Sequence, residues 1–125
     1  MENLYYRFKN ISVEQFATLS EELSNSLPLD FETQLSFQFY QEEKVIVSRS
    51  IVSLIQGSEL KLKSVFDCSF EIKEESLIQI TQEDGSVIFP RSVLIQLASL
   101  NYGTLRGIIV ERTKGTCFSS VFLPP

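Results

Sequence analysis

The stretch that most limits what this chain can fold into runs from Leu60 to Lys73. Leu60, Leu62, Ser64, Phe66, Cys68, Phe70 and Ile72 alternate there with Lys61, Lys63, Val65, Asp67, Ser69, Glu71 and Lys73. A period of two with one apolar face and one largely charged face is the signature of a strand in an antiparallel sheet whose second face meets water. The same alternation starts at Phe31, where Phe31, Thr33, Leu35, Phe37 and Phe39 oppose Glu32, Gln34, Ser36, Gln38 and Tyr40. It resumes with the β-branched residues of Val45 to Ile55. Short polar breaks at Gln41–Lys44 and Gln56–Glu59 join these runs into hairpins. Leu4 to Ile11 adds a further strand with an aromatic face.

Two stretches point to helix. Ser12 to Gln15 has capping-box spacing and is followed by Phe16, Leu19 and Leu23, which predicts a short helix from Val13 to Ser24. Ser86 to Gly115 reads as one long helix: Asp84 to Ser86 open it, Pro90 suits its first turn, and Arg112 and Lys114 precede Gly115 at its end. Val93, Leu97, Leu100 and Ile108 recur along it, and Leu94, Leu105 and Ile109 widen its apolar face. Lys73 to Glu83 has no pattern long enough to classify. Strands first and a long helix last predict an α+β domain, a four-stranded antiparallel meander with one long C-terminal helix packed on it. With 125 residues, one domain is expected. The apolar run Val93 to Leu100 is interrupted by Gln96 and Ser99, so no membrane span is expected, and the opening M-E-N-L-Y-Y-R-F-K has no signal core, which predicts a cytoplasmic protein.

Ser99, Gly103 and Gly107, four residues apart, line up on one side of the long helix. A second copy could approach closely there, making a dimer or tetramer interface. Close packing on the chain's own sheet is the simpler alternative.

Reaction chemistry is hard to assemble. There is no histidine, so the commonest general base and metal ligand is missing. Cys68 and Cys117 form no metal-ligand spacing. The acid pairs Glu21-Glu22, Glu42-Glu43, Glu74-Glu75 and Glu83-Asp84 fall mostly at element ends, as solvated charge does. No glycine-rich phosphate loop follows a strand, so no catalytic residue, metal or cofactor is assigned and an enzyme is not expected. Net charge is -5, and residues 1 to 43 hold eight acids against Arg7 and Lys9. This argues against nucleic acid, which needs clustered bases; an acidic surface could attract a basic segment or only keep the chain soluble. Ten phenylalanines and no tryptophan leave apolar side chains for a core, a groove or an interface.

The order of segments resembles SecB, the bacterial export chaperone, and its relatives. L-Y-Y-R-F-K-N-I-S-V-E is similar to that family's first strand, V-F-D-C-S-F-E-I at 65 to 72 to its last strand, F-P-R at 89 to 91 to the opening of its long helix, and V-F-L-P-P to its tail. The resemblance spans nearly the whole chain. It implies a holding chaperone for unfolded polypeptide, a homodimer or homotetramer that works without ATP or cofactor. By position it implies peptide-groove residues Phe66, Phe70, Ile72, Phe89, Phe118, Phe122 and Leu123. The entry to the helix is shorter than in the export chaperone, and the chain stops at Pro125 where that family continues into a second helix. SecA is therefore an open question as a partner. A structural or adaptor role with one dedicated protein partner, from a toxin-antitoxin pair or a mobile element, is the alternative.

Overall fold

A computed structural model describes residues 4–19, 22–24 and 26–119. Four strands, β1 (Tyr6–Thr18), β2 (Leu29–Tyr40), β3 (Val45–Gln56) and β4 (Glu59–Ile72), are followed by a short helix α1 (Glu74–Ile80) and a long helix α2 (Arg91–Arg112). All strand pairs are antiparallel, in the order β1-β4-β3-β2. β2, β3 and β4 meander, and β1 returns to lie beside β4, which is Greek-key order and leaves β1 and β2 as the two edges.

The expected helix over 13–24 is a correction: Tyr6 to Thr18 is one strand, paired with β4 from Tyr6↔Ile72 to Thr18↔Leu62. The physical reason is two β-bulges, between Phe8 and Asn10 and between Val13 and Gln15. Each adds one residue to β1, so Phe8 and Ile11, and again Val13 and Phe16, stay on one face although they are three apart. A spacing of three imitates a helix. The Ser12 hydroxyl, read as a cap, instead bonds Glu14 Oε1 at 2.7 Å.

The remaining strands lie where their alternation places them. Leu60 departs from its pattern, because a register shift between Leu54 and Ile55 leaves it exposed. The unclassified stretch after β4 is α1, whose buried Ser76 accepts a bond at 2.8 Å from the Tyr5 amide. α2 starts at Arg91, not Ser86, because residues 81–87 close a turn with a Thr81↔Val87 bridge, and Gly85 adopts φ 87° there. At its other end Thr113 stops the helix, its hydroxyl donating to Ile109 O at 2.7 Å, and Gly115 follows at φ 77°.

The core lies between α2 and the sheet. Val93, Leu97, Leu105 and Ile109 of α2 meet Ile46 and Val52 of β3 and Phe66, Cys68, Phe70 and Ile72 of β4. A second cluster, Leu54, Leu62 and Phe118, closes the far end of the sheet. By length and composition α2 could cross a membrane, contrary to the expectation that no stretch qualifies. Its inward residues Val93, Leu97, Leu105 and Ile109 pack on the sheet.

Between β3 and α2 the packing is unusually polar. Ser48 and Ser50 of β3 and Ser64 of β4 are fully buried beneath the helix side of the sheet, as is Asn101 of α2. Asn101 Nδ2 donates to the carbonyl of Ser48 at 2.7 Å, while its Oδ1 finds no partner among the described residues. Gln56 plays a similar part at the sheet's end. Its amide accepts from Ser24 N and donates to Ser24 O, both at 2.7 Å, so the β1–β2 connection is pinned by one side chain in place of a strand.

Buried Cys68 sits in this core, and burial, with the Asp67 charge a smaller cause, pushes its thiol up to about 11. A free thiol titrates near 8.5. The neutral form therefore supports the fold below that pH, and the support is lost as pH rises through the folded-state value. Thiol titration at pH 8 should find half-buried Cys117 reactive and Cys68 silent until denaturant is added. Two equally fast thiols in the native protein would contradict this burial.

Candidate functional site

α2 lies over the two central strands, β3 and β4. The helix-facing side of the sheet continues past it on both flanks, onto the edge strands. On β2, Leu35 and Phe37 stand opposite Ser50 and Ser48 and are 44% and 36% exposed. On β1, Phe8 and Ile11 stand opposite Phe70 and Cys68 and are 45% and 49% exposed. Two apolar strips therefore border the helix, each on a strand that is an edge of the sheet among the described residues.

Each strip is held by aromatic anchors. Phe31 and Phe39 are the two residues of β2 that are not exposed, and Phe39 meets Phe89 edge-on with ring centroids 5.1 Å apart. Phe89 enters α2 just ahead of Pro90, so the start of the helix fixes one end of the β2 strip. Across the sheet, Phe8 lies on Phe70 at 4.7 Å and Tyr6 meets the same ring edge-on at 5.7 Å. Such contacts are worth about 0.5–1.5 kcal/mol beyond the area they bury.

The expected groove residues divide accordingly. Phe66, Phe70, Ile72 and Phe118 are not in an open groove but in the core, none more than 1% exposed. Phe89 is half-buried and borders the β2 strip. Phe122 and Leu123 lie outside the described residues. The strips are made of Phe8, Leu35 and Phe37, which alternation placed on the apolar face of their strands without separating edge from centre, and of Ile11, which a bulge brings onto that face. The signal that was available is the small partner: Ser48, Ser50 and Cys68 are too short to cover the neighbours they face.

Ser99, Gly103 and Gly107 lie on the outer side of α2, and a Cβ placed at either glycine meets nothing within 4 Å. Close packing on the chain's own sheet is thereby excluded for this row. Gly103→Ala should raise stability by about 0.5–1 kcal/mol, since alanine is the better helix former and nothing obstructs it. Urea denaturation checks this, and a loss of stability would show that another chain occupies the space.

The charged groups pair locally. Arg49 forms a two-pronged bond with Asp67 on the outer sheet face, both contacts 2.8 Å, which holds its guanidinium above its ordinary pKa. Arg7 bonds Glu71 at 2.7 Å and Lys114 bonds Glu111 at 2.8 Å. Among the described residues no three of Cys, Asp and Glu converge to hold a metal ion.

The Mycobacterium tuberculosis protein Rv1957, a SecB-like chaperone solved in complex with a ChAD peptide from the Rv1956 HigA1 antitoxin, superposes with a TM-score of 0.57. The match covers 86% of this chain and 78% of that one, at 13% sequence identity. The fold is SecB-like. At that identity the likeness concerns the fold alone. A Streptococcus agalactiae protein of unknown function also superposes, at TM-score 0.46 and 14% identity, over 90% of each chain. No family model matches the chain, and no characterised protein matches it in sequence.

Proposed function

We propose that this chain is a non-enzymatic holding protein for apolar or unfolded polypeptide segments, acting in the cytoplasm without ATP or cofactor. The observation that carries the reading is the pair of uncovered apolar strips beside α2, Leu35 and Phe37 on one flank and Phe8 and Ile11 on the other. Large apolar side chains in a row on an otherwise ordered sheet favour contact with another chain. The SecB-like neighbour, solved with a peptide, supports a protein partner. A homodimer or homotetramer is part of the proposal, and a loss of stability in Gly103→Ala would put Ser99, Gly103 and Gly107 at its contact. Light scattering should then give at least twice the 14.3 kDa chain mass.

The test is an aggregation assay. A chemically unfolded client diluted into buffer should stay in solution longer when this protein is present at equal concentration, with no nucleotide added. Unchanged aggregation, together with no binding to any apolar peptide, would sink the proposal. The neighbour's peptide comes from an antitoxin, and this favours a second reading in which one dedicated partner is held. A peptide array separates the two: many aromatic-rich hits indicate a general holder, one hit a dedicated adaptor.

A further inference from the structure

We infer that the face of the sheet turned away from α2 carries a site for a small dipolar molecule, one with an ammonium group and a carboxylate at opposite ends of a short apolar body. The site lies apart from the two apolar strips and does not rest on the holding function.

A trough of about 310 Å³ crosses this outer face beside the β2–β3 turn, a volume within the range of small-molecule sites. Strand register accounts for it. Arg7, Glu71, Val45 and Tyr40 form one row across the four strands, Asn10, Ser69, Val47 and Gln38 the next, and Ser12, Asp67, Arg49 and Ser36 the one after. Arg7 bonds Glu71 in the first row and Arg49 bonds Asp67 in the third. Two long ion pairs therefore stand on either side of a row whose β4 member is only a serine. Ser69 and Val47 form the floor between them, and buried Val45 continues it toward Tyr40.

The two ends of the trough are oppositely charged. At one, the bulge between Phe8 and Asn10 brings Lys9 next to Asn10, so that both line the trough. At the other stands Glu43, in the turn after β2, with Tyr40 next to it in the lining. Arg7 and Arg49 already have carboxylate partners, whereas Lys9 and Glu43 join no ion pair among the described residues.

A ligand of the reverse polarity fits this layout. Its carboxylate would lie at Lys9 and the Asn10 amide, its ammonium at Glu43 and the face of the Tyr40 ring, and its apolar body on the valines. β1 and β2 are three strand spacings apart, about 14 Å of backbone, and the long side chains reach inward from either end. The ligand's charges must therefore be several ångströms apart. An α-amino acid, with both charges on one carbon, is too short, while an ω-amino acid or a dipeptide with free termini has the separation. One exposed ion pair is worth little, so both ends must be engaged together.

Titrations followed by amide chemical shifts test the site. The dipolar probes are ε-aminocaproate and valylvaline; hexylamine and caproate carry one charge each, and glycine has its charges too close. A dipolar probe should bind at least about tenfold more tightly than every control, with shifts centred on Val47 and Ser69. Tighter binding of ε-aminocaproate identifies an ω-amino acid as the ligand and tighter binding of valylvaline a short free peptide, and either supports the site. Lys9→Gln and Glu43→Gln should each reduce affinity to that of a singly charged probe. The exchange Lys9→Glu with Glu43→Lys should restore it, with the ligand reversed. Client holding in the aggregation assay should be unchanged in all these variants. Binding of hexylamine or caproate as tight as that of the dipolar probes, shifts confined to the helix-facing side, or no binding at millimolar concentration would overturn the proposal. So would an exchange variant that keeps its circular dichroism spectrum yet binds neither dipolar probe.

Discussion

Phe66→Ala should lower the free energy of unfolding by about 3–5 kcal/mol, the usual cost of removing a fully buried phenylalanine. Its ring has no exposed surface, and it stands in register between Val13 of β1 and Ser50 of β3, beneath α2. Domains of this size are commonly stable by only about 5–15 kcal/mol, so the variant should melt far below the parent or express poorly. Urea denaturation followed by circular dichroism measures the change. A loss below about 1 kcal/mol, coupled to lost client binding, would instead place Phe66 on a binding surface. Phe70 lies in the same layer and should behave the same way.

The opposite result is expected on the β2 strip. Leu35→Ser with Phe37→Ser removes two large side chains that already meet water, and stability should change by no more than about 1 kcal/mol. Client holding should fall about tenfold or more, because large apolar side chains at the centre of a contact carry most of its energy. The matched change on the other flank, Phe8→Ser with Ile11→Ser, ranks the strips by the same aggregation assay. Full holding by both double variants would remove the strips from the argument.

The two experiments also show what was legible in the chain. The alternation of Phe31–Phe39 and Leu62–Ile72 located two strands and their apolar faces, because a period of two has no other common cause. The α+β architecture followed from that order of segments. What alternation does not carry is position in the sheet. Leu35 and Phe66 have the same pattern around them, yet one lies on an edge strand and the other in the centre, and that difference leaves Leu35 and Phe37 exposed while Phe66 and Phe70 are buried. β1 was legible only in its first half, since its bulges shift the phase of Ile11 and Phe16 and only pairing with β4 reveals them. That Ser99, Gly103 and Gly107 share one side of α2 follows from their spacing, but whether that side faced inward or outward required the helix to be docked.

Asn101 settles how that docking is done. A helix resting on Val, Ile and Leu alone can slide by a turn at modest cost, because one apolar contact replaces another. Here a side-chain amide in mid-helix holds the backbone carbonyl of Ser48 at the floor of the sheet, where the neighbouring serines admit it. Sliding or rolling α2 would break that buried hydrogen bond, and leaving the amide without a partner costs about 1–3 kcal/mol. The helix is keyed to one place on the sheet, and the widths of the strips on either side are keyed with it. A polypeptide held as proposed would therefore meet strips whose breadth is set before it arrives.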